Sequence, residues 1–496
     1  MMPASSAPHP DAGAGANMQP ATARKKRWTS RSKTGCLTCR ARRVKCGEES
    51  PACRRCVALN YHCRYENRDQ IVVSSSRSRP ADHPIVPELR IQQQSRISIE
   101  AEPPGWDYMQ AIRYYFSVVQ PSRPVQNGKS LLPNFDPSRA TFYICAVLHV
   151  QLASMSKSRG RLLKFGEDPG LANFWENYAR YLSEVIGRVN RYIQDADGTG
   201  NPAAFSYMYT LISSSMILDS GLWLAHINAC FAFVQYLGGI KAITEPLLKP
   251  YTPFFRLISK VVMFNTTIPA TKQILGCTNY TDGQLRAILD NEFDADVPCP
   301  TDVRIVIIHV TRLRYQIATS TFVPGLSTTI EGIFDKLDWA DINGWAEINR
   351  GLGGTTIEIV GQIFHDAAKL HAILALPRPA VRAWARAHAP LPPDADVDVY
   401  DGLRLRQRSK LLNLLKANYP IVQYPLSLRW PLVVAGASLG PDGAEVDRAF
   451  VDDCLFTLWR NPLGDGGLFL CLQKLRDFWY SGKFGWEDCF DQPVPG

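Results

Sequence analysis

The sequence predicts two folded parts of unequal size. One is a small cysteine-rich head of short helices and loops. The other is a large all-α C-terminal domain, and a flexible linker joins the two. Three observations carry this. Six of the thirteen cysteines fall between positions 36 and 63. The stretch 71–104 is rich in Ser, Arg, Gln and Pro and has no sustained periodicity. Beyond it, apolar residues recur at three- and four-residue steps, the period of an amphipathic helix. A chain of 496 residues suits two to four domains at roughly 100–200 residues each.

Residues 1–23 have no charged start and no apolar run, so they read as a disordered tail and not as a secretory or transit signal. No apolar stretch approaches the roughly 20 residues that a membrane span needs, and no membrane partner is expected. Charge is unevenly placed. Residues 1–70 hold fourteen Lys/Arg against five Asp/Glu, whereas residues 71–496 hold 41 of each. The net +9 of the chain therefore sits in one terminal segment, which is the pattern of a polyanion-binding head on a neutral body. Arg24-Lys25-Lys26-Arg27 is a compact basic run of the kind that directs import into the nucleus.

The cysteines of residues 24–70 are Cys36, Cys39, Cys46, Cys53, Cys56 and Cys63, spaced C-x2-C-x6-C-x6-C-x2-C-x6-C. The pattern is an internal repeat: the first three positions shifted by seventeen give the last three. Without an export signal the thiols stay reduced, so dense spacing points to metal before disulfide. Structural zinc wants four ligands. Two zinc ions need eight metal–sulfur bonds, and six thiolates supply eight if two of them bridge. The repeat makes equivalent residues of the two halves the bridging pair. A disulfide framework, a single zinc with two spare thiols and a CxxC redox motif are the weaker rivals. The other seven cysteines are scattered without ligand spacing and read as buried free thiols.

Three stretches resemble the fungal-type binuclear zinc cluster family of transcription factors. The first is Thr34-Gly35-Cys36-Leu37-Thr38-Cys39-Arg40-Ala41-Arg42-Arg43-Val44-Lys45-Cys46. The second is Pro51-Ala52-Cys53-Arg54-Arg55-Cys56, and the last is the closing Cys63. The resemblance implies a small Zn2Cys6 cluster domain with two Zn2+ ions, bridged by the first and fourth cysteines, here Cys36 and Cys53. It also implies binding to double-stranded DNA. A short helix carrying Arg40, Arg42, Arg43 and Lys45, pinned at both ends by metal, would point into the major groove. Arg42 and Arg43 match the family's basic pair, which reads a CGG-like triplet. Many members carry Lys there, so arginine is a mild departure. Arginine can donate two hydrogen bonds to guanine, for ~1–3 kcal/mol of discrimination. Arg31, Lys33, Arg54, Arg55 and Arg64 fit phosphate contacts, which position without specifying.

Many members follow the cluster with a dimerising coiled coil. Residues 71–104 show no such repeat, and Pro80, Pro84, Pro87, Pro103 and Pro104 oppose one. Homodimerisation through the C-terminal domain, or monomeric binding, is expected instead.

The body, residues 105–496, shows a helical stripe through Trp175, Tyr178, Leu182, Val185, Ile186, Val189 and Ile193. Similar stripes lie near 107–119, 140–154, 203–218, 222–237, 253–265, 303–318, 356–376, 401–417, 445–459 and 467–479. Pro121, Pro250, Pro300, Pro377, Pro420 and Gly482 separate them. The β-rich run 303–310 reads as a buried helix from its flanks. Trp223 to Cys230 with Gly238-Gly239, and Trp430 to Gly436, resemble two helices of the fungal-specific transcription factor regulatory domain. That implies partners such as coactivators or corepressors, and in some relatives a small lipophilic effector.

No catalytic constellation stands out. There is no G-x-S-x-G, P-loop or H-E-x-x-H. Gly351 to Gly354 reads as a helix–helix turn, His226 as a hydrogen-bonded core histidine, and His365 and His371 do not share a face. Asp394, Asp396 and Asp398 lack the glycine and closing glutamate of a calcium loop. The expected function is a zinc-dependent, sequence-specific regulator of RNA polymerase II transcription, acting in the nucleus on a metabolic pathway or secondary-metabolite gene cluster. It is not expected to be an enzyme.

Overall fold

The computed structural model describes residues 35–42, 44–48, 53–58, 113, 117, 140–194, 203–244, 252–272, 275–276, 280–290, 293–388 and 398–495. The chain divides into two units, Met1–Gln94 and Ser95–Gly496. Lys33, Arg31, Arg43, Cys63, Asp394 and Asp396, and the linker 71–104, lie outside the described residues.

The described part of the first unit has two five-residue helices, α1 (Leu37–Ala41) and α2 (Arg54–Ala58). Shifting α1 by seventeen gives α2, so the sequence repeat is a structural repeat. Helices this short are marginal alone, since a nucleus of fixed dihedrals is costly. What they enclose must hold them.

The second unit is helical, with no strand among the described residues and one isolated parallel bridge, Leu163 to Leu218. The expected stripes appear as α3 (Ala140–Arg159), α4 (Ala172–Gln194), α5 (Ala203–Ile217), α6 (Leu222–Tyr236), α8 (Thr252–Thr266) and α10 (Thr301–Thr319). They continue as α13 (Ile357–Ala375), α15 (Val399–Asn418), α17 (Glu445–Arg460) and α18 (Gly466–Trp479). The expected stripe at 107–119 falls largely outside the described residues. Between these come α7 (Ile240–Thr244), α9 (Asp282–Leu289), α11 (Leu326–Asp338), α12 (Ile342–Gly353), α14 (Arg378–His388) and α16 (Arg429–Ala437), and α19 (Trp486–Cys489) follows α18. No helix among the described residues is long and apolar enough to cross a membrane.

The breakers at Pro300, Pro377, Pro420 and Gly482 fall between helices, and Pro121 and Pro250 lie outside the described residues. Pro300 is the N-cap of α10, and Pro377 directly precedes α14. Gly354, at φ +74°, turns the chain from α12 toward α13. The run 303–310 is helix, with seven of its eight residues buried or nearly so against the core.

Helix α13 is the hub, packing against α10, α12, α15 and α16. Its Gly361 lets α12 approach, because a Cβ there would stand 2.9 Å from the Trp345 ring. Its Phe364 lies parallel to Trp430, with ring centroids 6.0 Å apart. His371 is wholly buried with its ring 4.6 Å from that of Trp486, and neither ring nitrogen has a hydrogen-bond partner among the described residues. The two tryptophans of the regulatory-domain-like stretches, Trp223 and Trp430, are core anchors. Trp430 Nε1 donates to Thr266 Oγ1 at 3.0 Å, and Trp486 Nε1 to the Thr266 carbonyl at 2.7 Å. A polar network crosses the same core. Lys260 Nζ reaches Asp296 at 3.0 Å and Tyr209 Oη at 2.6 Å, Tyr424 Oη donates to Asp296 at 2.8 Å, and Arg429 pairs with Asp465 at 2.9 Å.

Candidate metal centre

Cys36 opens the centre. It stands outside α1 as its N-cap, with φ −57° and ψ 148°, and its Sγ accepts the Cys39 N–H at 3.3 Å. That satisfies one of the donors a helix start leaves unpaired. Cys53 repeats the arrangement before α2, where the Cys56 N–H donates to its carbonyl at 2.9 Å and also acts on its sulfur. Each C-x2-C pair thus has one sulfur at a helix start and one a turn later.

These four sulfurs converge. Cys36, Cys39, Cys53 and Cys56 are all buried, and their Sγ atoms lie within 4.8 Å of one another. The separations are 3.8 Å for Cys36 to Cys53, 3.7 Å for Cys36 to Cys56, 3.6 Å for Cys39 to Cys53 and 3.8 Å for Cys39 to Cys56. Sulfurs 2.3 Å from a shared tetrahedral zinc stand about 3.8 Å apart. The donor set therefore fits zinc by chemistry and by spacing. Cys46 packs against the same group. Its buried Sγ accepts the Cys36 N–H at 3.3 Å and the Glu48 N–H at 3.4 Å. Glu48 adopts φ +60°, the left-handed region, and that turn folds its N–H back onto the sulfur. Cys63, the sixth expected ligand, lies outside the described residues.

The thiols differ in acidity. Burial opposes ionisation of Cys53, but the Cys56 N–H and the thiols of Cys56, Cys39 and Cys46 outweigh it and bring it down to about 6. Burial leaves Cys39 above its ordinary value. A thiol lowered in this way is poised as a thiolate, the form that ligates metal.

The basic residues do not form one continuous helix. The sequence predicts a helix between the second and third cysteines, whereas α1 begins at Leu37 and ends at Ala41. Only Arg40 lies inside it, Arg42 caps it, and Lys45 follows in non-helical chain. The reason is Cys46: its sulfur receives the Cys36 N–H, so the chain has to leave the helix and fold back. Arg40 and Lys45 are exposed, as are Arg54 and Arg55, while Arg42 is half-buried. That partial burial, and the Glu48 turn, have no signal in the cysteine spacing.

In the body, His226 is half-buried and held below its ordinary value by desolvation. His365 Nε2 meets the Leu337 carbonyl at 3.0 Å while His371 faces the tryptophans, so the two share no site. Asp398 is the N-cap of α15 and pairs with Arg378 and Arg382.

Comparison with known proteins bears on this centre directly. Residues 34–70 match the family model described as the fungal Zn(2)-Cys(6) binuclear cluster domain. An uncharacterized transcriptional regulatory protein of Schizosaccharomyces pombe is 39% identical over 70 residues, 12% of this chain and 13% of its own length. The aspercryptin biosynthesis cluster-specific transcription regulator of Emericella nidulans is 61% identical over 33 residues, 7% of this chain and 5% of its own length. The chain thus spans about an eighth or less of these two relatives. The phomenoic acid biosynthesis cluster-specific transcriptional regulator of Leptosphaeria maculans is 22% identical over 490 residues, 93% of this chain and 89% of its own length. No solved structure matches the chain. Residues 34–70 are a fungal Zn(2)-Cys(6) binuclear cluster domain, whose six cysteines fit two zinc ions.

Proposed function

We propose that the protein is a zinc-dependent, sequence-specific DNA-binding regulator of RNA polymerase II transcription, acting in the nucleus on a metabolic pathway or secondary-metabolite gene cluster. It is a regulator and not an enzyme. The observation that carries the reading is the buried four-sulfur group at zinc–thiolate spacing inside a segment that holds the chain's whole net positive charge. Two relatives bear names of cluster-specific regulators, which supports the biosynthetic setting.

Cys36, Cys39, Cys46, Cys53, Cys56 and Cys63 would hold the ions. Cys36 and Cys53, equivalent positions of the seventeen-residue repeat, would be the bridging pair. Bound zinc supplies cross-links between the two halves and charge to balance the thiolates. The chain's own residues do the rest. Residues 24–70 form the head, 71–104 a linker and 105–496 the body. Six thiolates around two divalent ions leave an anionic core, so the cationic rim must outweigh it. Arg31, Lys33, Arg54, Arg55 and Arg64 meet phosphates, Arg40 and Lys45 add to the cationic rim, and Arg42 and Arg43 read a CGG-like triplet. The body engages coactivators or corepressors and supplies any homodimer contact.

The test uses the full chain and two duplexes, one carrying CGG and one with that triplet scrambled. The expected result is tighter binding to the first, a steep loss of affinity with salt as counterions are released, and discrimination reduced ~10-fold by Arg42→Ala. Equal affinity for both duplexes, unchanged by the substitution, overturns it.

A further inference from the structure

Helices α18 and α19 are joined by residues 480–485, which carry two exposed aromatic rings between two buried ones. Trp479 closes α18, its buried Nε1 donating to the Gly436 carbonyl at 2.8 Å. Trp486 opens α19, its Nε1 donating to the Thr266 carbonyl at 2.7 Å. The turn between them is fixed. Ser481 Oγ donates to the Phe478 carbonyl at 2.8 Å and accepts the Lys483 N–H at 3.2 Å, and Gly482 takes the left-handed conformation at φ +76°. Gly440 lets the turn lie close, because a Cβ there would stand 3.2 Å from the Lys483 carbonyl.

Tyr480 and Phe484 nevertheless face water, 71% and 55% exposed, and Val446 in the first turn of α17 is 69% exposed. The two rings belong to one surface. Tyr480 Oη donates to Glu445 at 3.2 Å, and the Arg448 guanidinium lies 5.3 Å from the centre of its ring. Arg448 is buried and donates to the Gly440 carbonyl at 2.7 Å, and a Cβ on Gly440 would meet the Phe484 ring at 3.5 Å. Tyr480 is thus held in one orientation while most of its surface stays open. A side chain fixed before contact loses little further freedom on binding. Exposed aromatics on a rigid element, beside arginine and inside a polar rim, have the composition of a protein–protein contact.

The charges at the rim select the partner. Asp442 is engaged by Arg404 and Arg408, and Asp447 by Lys416. Glu445 and Lys483 are largely exposed and of opposite sign. Lys483 Nζ stands 4.0 Å from Asp488, and the Glu445 carboxylate, which bonds Arg448 and Tyr480, keeps lone pairs free to accept more. A partner of one charge sign would meet a like charge at one of the two. A second copy about a two-fold axis brings lysine to glutamate twice.

We infer that this surface is a homodimer contact, in which Tyr480 and Phe484 of two copies pack about a two-fold axis and Glu445 of each pairs with Lys483 of the other. Four rings, at roughly 150–250 Å² each when fully covered and with more than half of each still open, supply about half of the ~1,000 Å² that a specific interface needs. The inference rests on the homodimer reading given above, and dimerisation is measured without DNA, so that it and the DNA-binding reading can fail separately.

Sedimentation of the full, zinc-loaded chain is expected to show a reversible monomer–dimer equilibrium. Tyr480→Ala is expected to weaken the dimer at least ~10-fold. Val446→Asp is expected to weaken it as well, with the melting temperature of the body unchanged, since an acid suits the start of a helix. Glu445→Lys and Lys483→Glu are each expected to weaken it ~5-fold, and the two together to recover most of that loss, as symmetric pairing requires. A chain that stays monomeric at ~100 μM overturns the inference. So does a dimer unmoved by both Tyr480→Ala and Val446→Asp, or a double reversal no stronger than either single one.

Discussion

The head and the body bury side chains to the same degree by opposite means. Among the described residues of the head, the buried hydrophobic set is Cys36, Cys39, Cys46, Cys53 and Cys56, with Val44 packed against it. The body buries one continuous apolar cluster running from Ile144 to Val494. Two five-residue helices cannot shield enough apolar surface to fold, and units of this size usually need a metal or disulfides. The body has surface enough to do without. Two sources of cohesion within one chain should therefore fail under different stresses.

The largest separation is expected from zinc removal. Structural zinc contributes ~10–16 kcal/mol in small domains, so a strong chelator should unfold the head and abolish DNA binding. The main calorimetric transition of the body should stay within a degree or two. A body transition that collapses with the chelator would break the contrast. The converse perturbation is Trp486→Ala. That ring is buried against His371 and bonds the Thr266 carbonyl, so the body should lose ~3–5 kcal/mol, read by denaturant unfolding, with zinc stoichiometry unchanged. The smallest effect sharpens the picture inside the body. Burial holds His371 well below its ordinary value, and nearby Arg314 adds to this. The unfolded chain takes up a proton below about 6.5 that the folded chain refuses, so stability falls as pH drops. His371→Phe should leave stability near pH 7.5 within ~1 kcal/mol, because no hydrogen bond is lost. It should also make the decline toward pH 5 shallower. Parallel decline in both proteins would show that His371 does not contribute.

What the sequence discloses follows from how local each interaction is. The head is legible because its partners lie within a 28-residue window and repeat at a shift of seventeen, which survives as two helices related by that shift. The long helices are legible because α10 and α13 carry enough apolar positions to show a period. Helices α9, α11, α12 and α14 escape it, being shorter and flanked by turns. The helix expected to span Arg40 to Lys45 is cut short by a bond from the Cys36 N–H to Cys46, which no propensity reports. The polar network of Lys260, Asp296, Tyr424, Arg429 and Asp465 joins residues up to two hundred apart, each ordinary by itself. Within it Asp294 is raised to about 6 by burial and by the neighbouring Asp296.

Thr266 accepts bonds from both Trp430 and Trp486, and the second of these partners is 220 residues later in the chain. On the ribosome, the middle of the body therefore stays open until residues near 486 emerge. A nascent chain stalled before that point exposes the surroundings of His371 to chaperones and proteases. Translation arrest late in the message would thus leave the body open beside a head whose cysteine cluster is already complete.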